Sequence, residues 1–309
     1  MAALSALSAC AALPALAGCA APPPDAAGPT PLPKPPPWTG KPSPSAIDLA
    51  THSGSWTSTQ EILDEAANRL DQRCLRKHGF AYPSIKASPH TAPEDEAGVV
   101  DMPKRRTEGY GIFDGGSSKQ PVDAFYARLS PSEQSRFDRV LYGPEDKKVK
   151  AGTYGLGAVR VPAEGCTANS RRALAGDVVL WARMYYYPED VDNRLSDEAA
   201  SDSGYLAALR TWTSCMAARG LPYASPGNAE DSLRTAYKAT GPTESFRKRE
   251  VAVADADGEC ALRAHLTAAE LAARRRLARS LPPKDERTLT DLAAYRNATV
   301  ARAHAILYP

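Results

Sequence analysis

Beyond about residue 57, apolar side chains recur mainly every three or four positions. Ile62, Leu63, Ala66, Ala67, Leu70, Cys74 and Leu75 fall on one face of a helix. Ser58-x-x-Glu61 is a capping box at its expected start, and Gly79 stops it, since glycine enters the left-handed conformation without steric cost. Leu209, Trp212 and Met216 share a face with Cys215 in a second helix that ends at Gly220. Ser130-Pro131-Ser132-Glu133 joins a capping box to proline at the first helical position, which predicts a helix through Phe137, Val140 and Leu141 to Gly143. Further helices are predicted from Val178 to Tyr187, after an Asn228 cap, and over about 243–265, 267–280 with a Thr267-x-x-Glu270 box, and 288–307. Between them the pattern gives a long loop from Pro83 to Pro121, an acidic loop after Tyr187 and a break at Pro282-Pro283. Lys148-Val149-Lys150 and Ala158-Val159-Arg160-Val161, about a Gly-rich turn, are the one expected hairpin. The fold class is mostly α, a disulfide-stapled helical domain with an internal pseudo-repeat and at most a small β-hairpin.

The N-terminus departs from this pattern. Residues 1–18 are rich in Ala and Leu, carry no charged side chain and are too short to span a bilayer as a stable helix. They read as an export signal ending in Leu16-Ala17-Gly18-Cys19, the Leu-small-Gly-Cys pattern at which lipoprotein processing cuts and lipidates its cysteine. Cys10 has a similar context but too little apolar chain before it, so Cys19 is the expected lipidation (palmitate) site. The usual Lys or Arg is missing from Met1-Ala2-Ala3-Leu4, which leaves room for a start further upstream. Residues 19–56 read as a Pro-rich disordered linker, with eleven prolines between Ala21 and Ser45. Proline holds the chain near polyproline II and removes donors, so the stretch serves as a semi-rigid spacer. Pro33-Lys34-Pro35-Pro36-Pro37 also suits a proline-recognising partner, a weaker reading at a position where a spacer is expected.

An exported domain changes the reading of Cys74, Cys166, Cys215 and Cys260. An even count outside the cell points to disulfides, with zinc as the rival. Structural zinc favours Cys-x-x-Cys pairs, and there are none here. The nine residues Cys74–Tyr82 align without a gap to Cys215–Tyr223, giving Cys-apolar-x-x-basic-Gly-apolar-x-Tyr twice. The repeat divides the domain of residues 57–309 into units of about 57–187 and 197–309. Within-unit pairing, Cys74 with Cys166 and Cys215 with Cys260, is then the expected one of three connectivities.

Composition narrows function mainly by exclusion. Net charge is +2, and no basic stripe is interleaved with aromatics, so a nucleic-acid partner is not expected. Gly152, Gly155 and Gly157 lack the Lys-Ser/Thr ending of a phosphate loop and read as turn glycines. Ser245-Phe246-Arg247-Lys248 fits the Ser-x-x-Lys of penicillin-recognising enzymes, but the companion motifs are missing. Glu189, Asp190, Asp192, Asp197, Glu198 and Asp202 could hold calcium but read more simply as a solvated acidic segment. His78 and Arg219, each just before a helix-ending glycine, suit the negative end of the helix dipole. Trp181, Tyr185, Tyr186, Tyr187, Tyr205, Trp212 and Tyr223 crowd into about forty residues. Trp212 is expected in the core, whereas Trp181, Tyr185, Tyr186 and Tyr187 are candidates for a ligand-binding face.

Trp212-Thr213-Ser214-Cys215-Met216 with Gly220 and Tyr223, Gly165–Arg172 with Gly176-Asp177, Tyr110–Asp114 and Glu250–Asp255, together with the lipobox, resemble secreted proteins and lipoproteins of actinobacteria. The resemblance spans most of residues 57–309 and implies no activity, cofactor or metal. In that pattern an acidic residue is usual where Asn169 stands, and an unbroken helix where Gly258 stands. The expected role is non-enzymatic binding or scaffolding at the extracytoplasmic face of the cell membrane. The partners are the bilayer, through lipid on Cys19, and a cell-envelope component. A hydrolase acting on cell-wall or peptide substrates is the alternative, with His52, His90, Asp114 or Ser117 brought together by folding.

Overall fold

The computed structural model describes residues 30–115, 121–155 and 157–309, so Cys19, the expected signal segment of residues 1–18 and Ser117 lie outside it. In chain order its elements are α1 (Pro44–Ala50), α2 (Ser55–Lys77), α3 (Glu96–Val100), α4 (Met102–Glu108), α5 (Pro121–Tyr126), α6 (Pro131–Tyr142), β1 (Lys148–Tyr154), β2 (Gly157–Pro162), α7 (Gly165–Ala175) and α8 (Val178–Ala199). These are followed by α9 (Ser203–Ala218), α10 (Pro226–Thr240), α11 (Glu244–Ala264), α12 (Leu266–Leu277) and α13 (Pro283–Leu307). The two strands pair antiparallel, Val149 opposite Val161 and Tyr154 opposite Gly157, with a bulge at the buried Ala151. The fold is mostly helical, as expected, with only this hairpin as sheet among the described residues.

Both predicted disulfides are formed, Cys74–Cys166 and Cys215–Cys260. The repeated motif ends its helix in the same way twice. Gly79 N–H donates to the Arg76 carbonyl and Phe80 N–H to the Leu75 carbonyl, while Gly220 and Leu221 donate to Ala217 and Met216. These are the paired bonds of a Schellman cap, with glycine at φ +82° and +74°. The chain then folds back, placing Phe80 and Tyr82 beside the first bridge and Leu221 and Tyr223 beside the second. The repeat does not extend to the partner cysteines: Cys166 lies in the first turn of α7, whereas Cys260 lies near the end of α11.

Several expected boundaries move. The linker ends early: Ser43 caps α1 by accepting from Ala46 N–H, Pro44 opens the helix, and Ala46, Leu49 and Ala50 enter the main core. Helix α2 starts at Ser55 and no capping box forms at Ser58, whose hydroxyl donates to the Ser55 carbonyl. The expected acidic loop is a continuation of α8, because Met184, Pro188, Val191, Leu195 and Ala199 form one buried stripe. The loop 83–121 contains α3 and α4, and α10 is capped by Ser225, whose hydroxyl oxygen accepts from the Asn228 N–H. No capping box forms at Thr267. Glu96 of α3 instead accepts from the Ala268 N–H and meets His265 Nδ1 at 2.9 Å. By contrast, the Ser130–Glu133 box and the proline after it are as expected.

The two sequence units interlock rather than stand side by side. Helices α3 and α4 of the first pack on α11 of the second, and α13 of the second packs on α1, α2 and α8. Gly258 explains the first contact. A Cβ there would stand 2.5 Å from Met102 Sδ and 2.8 Å from Arg105 Cδ, so glycine lets α4 close on α11. Two buried acids of α11 complete the junction: Glu250 accepts from the Ile112 and Phe113 N–H groups at 2.6 and 2.9 Å. Asp257 accepts from Trp212 Nε1 at 2.9 Å, the Tyr110 hydroxyl at 2.8 Å and Arg105 Nη1 at 2.5 Å.

Candidate functional site

A cleft of about 610 Å³ opens between α2, the segment 85–90, β2, α7 and α8. The polar side of α2, which reads as a solvent face, builds one wall by strapping down the segment beside it. Glu65 accepts from Ala87 N–H at 3.1 Å and Glu61 from His90 N–H at 2.7 Å, while Asp64 meets His90 Nε2 at 3.1 Å. The Gln60 amide then donates to Asp64 at 2.8 Å and accepts from Arg296 Nη2 at 2.9 Å. Arg296 is buried with neutral acceptors around it, and burial, opposed by Asp64, lowers its pKa to about 10. A carboxylate in the cleft wall is thus tied through one amide to a buried cation.

Another wall is aromatic. Helix α8 sets Trp181 and Tyr185 one turn apart with Tyr186 beside them, and all three line the cleft. Tyr185 and Tyr186 meet edge to face at 5.1 Å and remain 49% and 36% exposed, which leaves ring surface free to stack on a ligand. Tyr154 of β1 stacks behind Tyr186 at 6.1 Å. Arg171 lies 5.5 Å over the Trp181 ring, held by Asp71 and Ser170 at 2.7 and 2.8 Å. Tyr187 leaves the group: its hydroxyl donates to Asp285 at 2.7 Å and its ring packs on the main core.

Most other candidates from the sequence resolve into structure. Trp212 is fully buried as expected, and Tyr205 and Tyr223 pack beside it. His78 is an exposed end of α2, its Nδ1 2.9 Å from the Cys74 carbonyl. Cys74, His78 and Cys166 converge, but the disulfide takes both sulfurs. Ser245 contacts Thr243 at the start of α11, and among the described residues no side-chain hydrogen bond joins Ser245 to Lys248. The acidic run disperses onto separate partners: Asp192 to Arg274 at 2.6 Å, Asp190 to the Gly155 N–H at 2.6 Å, and Asp202 to Arg276 and the first turn of α9. Asp114 is exposed on the turn after Phe113 and does not line the cleft.

Of the candidates for the hydrolase, His52 and His90 do approach one another, through Trp56. His52 stacks on that indole at 4.3 Å and His90 meets its edge at 5.4 Å. His52 Nδ1 lies 3.6 Å from Asp192 and 3.8 Å from Glu189, beyond hydrogen-bonding range, and Asp192 is already neutralised by Arg274. Burial therefore dominates, with Arg296, Arg274 and His90 adding to it, and the pKa falls from 6.5 to about 4. His52 is an uncharged stacking residue. His90 faces a carboxylate, and among the described residues no hydroxyl nucleophile is hydrogen-bonded to it.

No protein family model, curated protein or solved structure matches the chain. The site is therefore read from its own geometry. An aromatic wall facing fixed polar groups can stack and orient a ligand.

His52 also carries a pH prediction. Its folded pKa lies below its unfolded value, so the unfolded chain binds the extra proton. The stability it contributes is complete above pH 6.5 and is lost as pH falls toward about 4. A shift of this size corresponds to ~3 kcal/mol at most. Urea unfolding of the wild type should weaken across that interval, and His52→Asn, which tolerates the positive φ of 45°, should flatten that part of the profile. An unchanged slope in the variant would move the effect to other groups.

Proposed function

We propose that the chain is a lipid-anchored, extracytoplasmic binding protein that holds a cell-envelope glycan in the cleft beneath Tyr185 and Tyr186. The carrying observation is the pair of exposed rings at a cavity also lined by hydrogen-bonded polar groups of α2 and segment 85–90. Aromatic faces stack on the apolar faces of sugars, and fixed donors and acceptors orient their hydroxyls. The Leu16–Cys19 motif and the following prolines support a tether at the outer membrane face, as does the resemblance to actinobacterial lipoproteins. The two bridges suit an oxidising compartment.

Two measurements test this reading. Radiolabelled palmitate should enter the full-length protein and be absent from Cys19→Ala; equal labelling removes the anchor. Purified protein should co-sediment with insoluble cell-wall glycan, and Tyr185→Ala with Tyr186→Ala should weaken binding by about tenfold, the loss of two stacking contacts. Unchanged sedimentation would remove the cleft from the function. The Asp64–His90 pair in the same cleft favours a hydrolase as the second reading. That reading requires soluble sugar or peptide fragments to accumulate with time and to disappear in His90→Gln.

A further inference from the structure

We infer that the cleft is one end of a longer groove that binds a linear anionic glycan, with Arg160 at the middle of the path. This rests on the glycan reading above and adds the charge and length of the ligand.

A second cavity, also of about 610 Å³, lies at the base of the hairpin between α6 and β2, and Arg160 and Pro162 line both cavities. The two side chains share a face of β2, being two positions apart on a strand. Burial and then Asp138 push the Tyr142 hydroxyl in the second cavity upward, and Asp71 and Arg171 act on it too.

The charges in this path are unequally satisfied. Its carboxylates all have protein partners: Asp64 holds Gln60 and His90, Asp138 accepts from the Tyr126 hydroxyl, and Glu145 pairs with Lys148 at 2.8 Å. Arg139, Arg160 and Lys86 are exposed, and among the described residues none pairs with a carboxylate. Arg160 donates only to the Lys148 carbonyl, at 2.5 Å, which steadies the guanidinium and leaves other donors free. A neutral sugar polymer would satisfy the rings and leave three cations facing water. A polymer carrying carboxylates or phosphodiesters at intervals satisfies both.

The experiment uses the full protein with five probes: a long and a short oligogalacturonate, a neutral cello-oligosaccharide of the longer length, a phosphodiester-linked oligohexose of that length, and a single-stranded oligonucleotide. The long anionic probes should bind about tenfold tighter than the neutral one, with affinity falling as salt rises. The short probe, which reaches one cavity, should lose most of that gain. Arg160→Gln, and separately the exposed Lys86→Gln, should weaken the anionic probes several-fold more than the neutral one and flatten their salt dependence, with melting temperatures like the wild type. A preference for oligogalacturonate or for the phosphodiester-linked oligohexose identifies the anion as carboxylate or phosphodiester. Equal affinity for neutral and anionic glycans, or indifference of the anionic ones to both substitutions, overturns the inference while the glycan reading stands. Tighter binding of a single-stranded oligonucleotide replaces glycan by nucleic acid and overturns it too. No binding of any glycan removes both readings.

Discussion

Replacing Asp257 by alanine should destabilise the protein by about 3–5 kcal/mol, the range for removing one partner from a buried charged network. The carboxylate accepts from an indole N–H, a phenol and a guanidinium, and it is only 2% exposed. Removing it leaves Trp212 Nε1 and the Tyr110 hydroxyl without an acceptor inside the core, and leaves Arg105 with only carbonyl acceptors on Val100 and Ala254. Water can reach Arg105, whose side chain is 21% exposed, but not the fully buried Trp212. The Trp212 bond is therefore the costlier loss. Asp257→Asn should cost less, since its oxygen can still serve the indole while its amide opposes the guanidinium. Urea unfolding measures both, and hydrogen exchange should show the loss concentrated at Ile112, Phe113 and α4. A loss below about 1 kcal/mol for the alanine variant would mean that this junction does not hold the two units together.

The same junction shows what could be read from the sequence and what could not. The repeat, its glycine caps, the Ser130–Glu133 box and the hairpin were legible because each rests on residues a few positions apart. Helix α1 was hidden by the prolines before it, although Ser43-Pro44 is itself a helix start. The second half of α8 was hidden by carboxylates such as Asp192, whose partner Arg274 lies on α12 and becomes visible only in three dimensions. Helix α12 takes its cap from Glu96, some 170 residues earlier in the chain. The cleft divides in the same way. Its aromatic wall was legible because Trp181, Tyr185 and Tyr186 are near neighbours in sequence. Its polar wall was not: Gln60 and Asp64 lie on α2, and Arg160 arrives on a strand about a hundred residues later. One local signal was available. Gln60 and Asp71 interrupt an otherwise apolar face of α2, and both prove to be buried anchors for cations, Arg296 and Arg171.

Removing either disulfide should lower stability by about 2–4 kcal/mol, and it should do so in a single transition. The bridges span 92 and 45 residues, for which loop-closure entropy gives ~4.6 and ~4.0 kcal/mol as upper values. Paired alanines at Cys74 and Cys166, or at Cys215 and Cys260, avoid leaving buried hydroxyls in place of the sulfurs. The number of transitions follows from the interlock. The 92-residue loop contains α3 and α4, which pack on α11, the helix that carries Cys260, while α2, which carries Cys74, packs against α13. Loosening the first bridge thus frees chain that the second unit needs, and the reverse holds through α13. Independent units would melt in two steps, the unit with its bridge intact keeping its wild-type midpoint. The interlocked fold should instead shift as one, with Trp181 in the first unit and Trp212 beside the second bridge, each read in a single-tryptophan version, reporting the same urea midpoint in each double variant. Two separated midpoints would show that the contacts of α4 with α11 and of α13 with α2 are too weak to couple the halves.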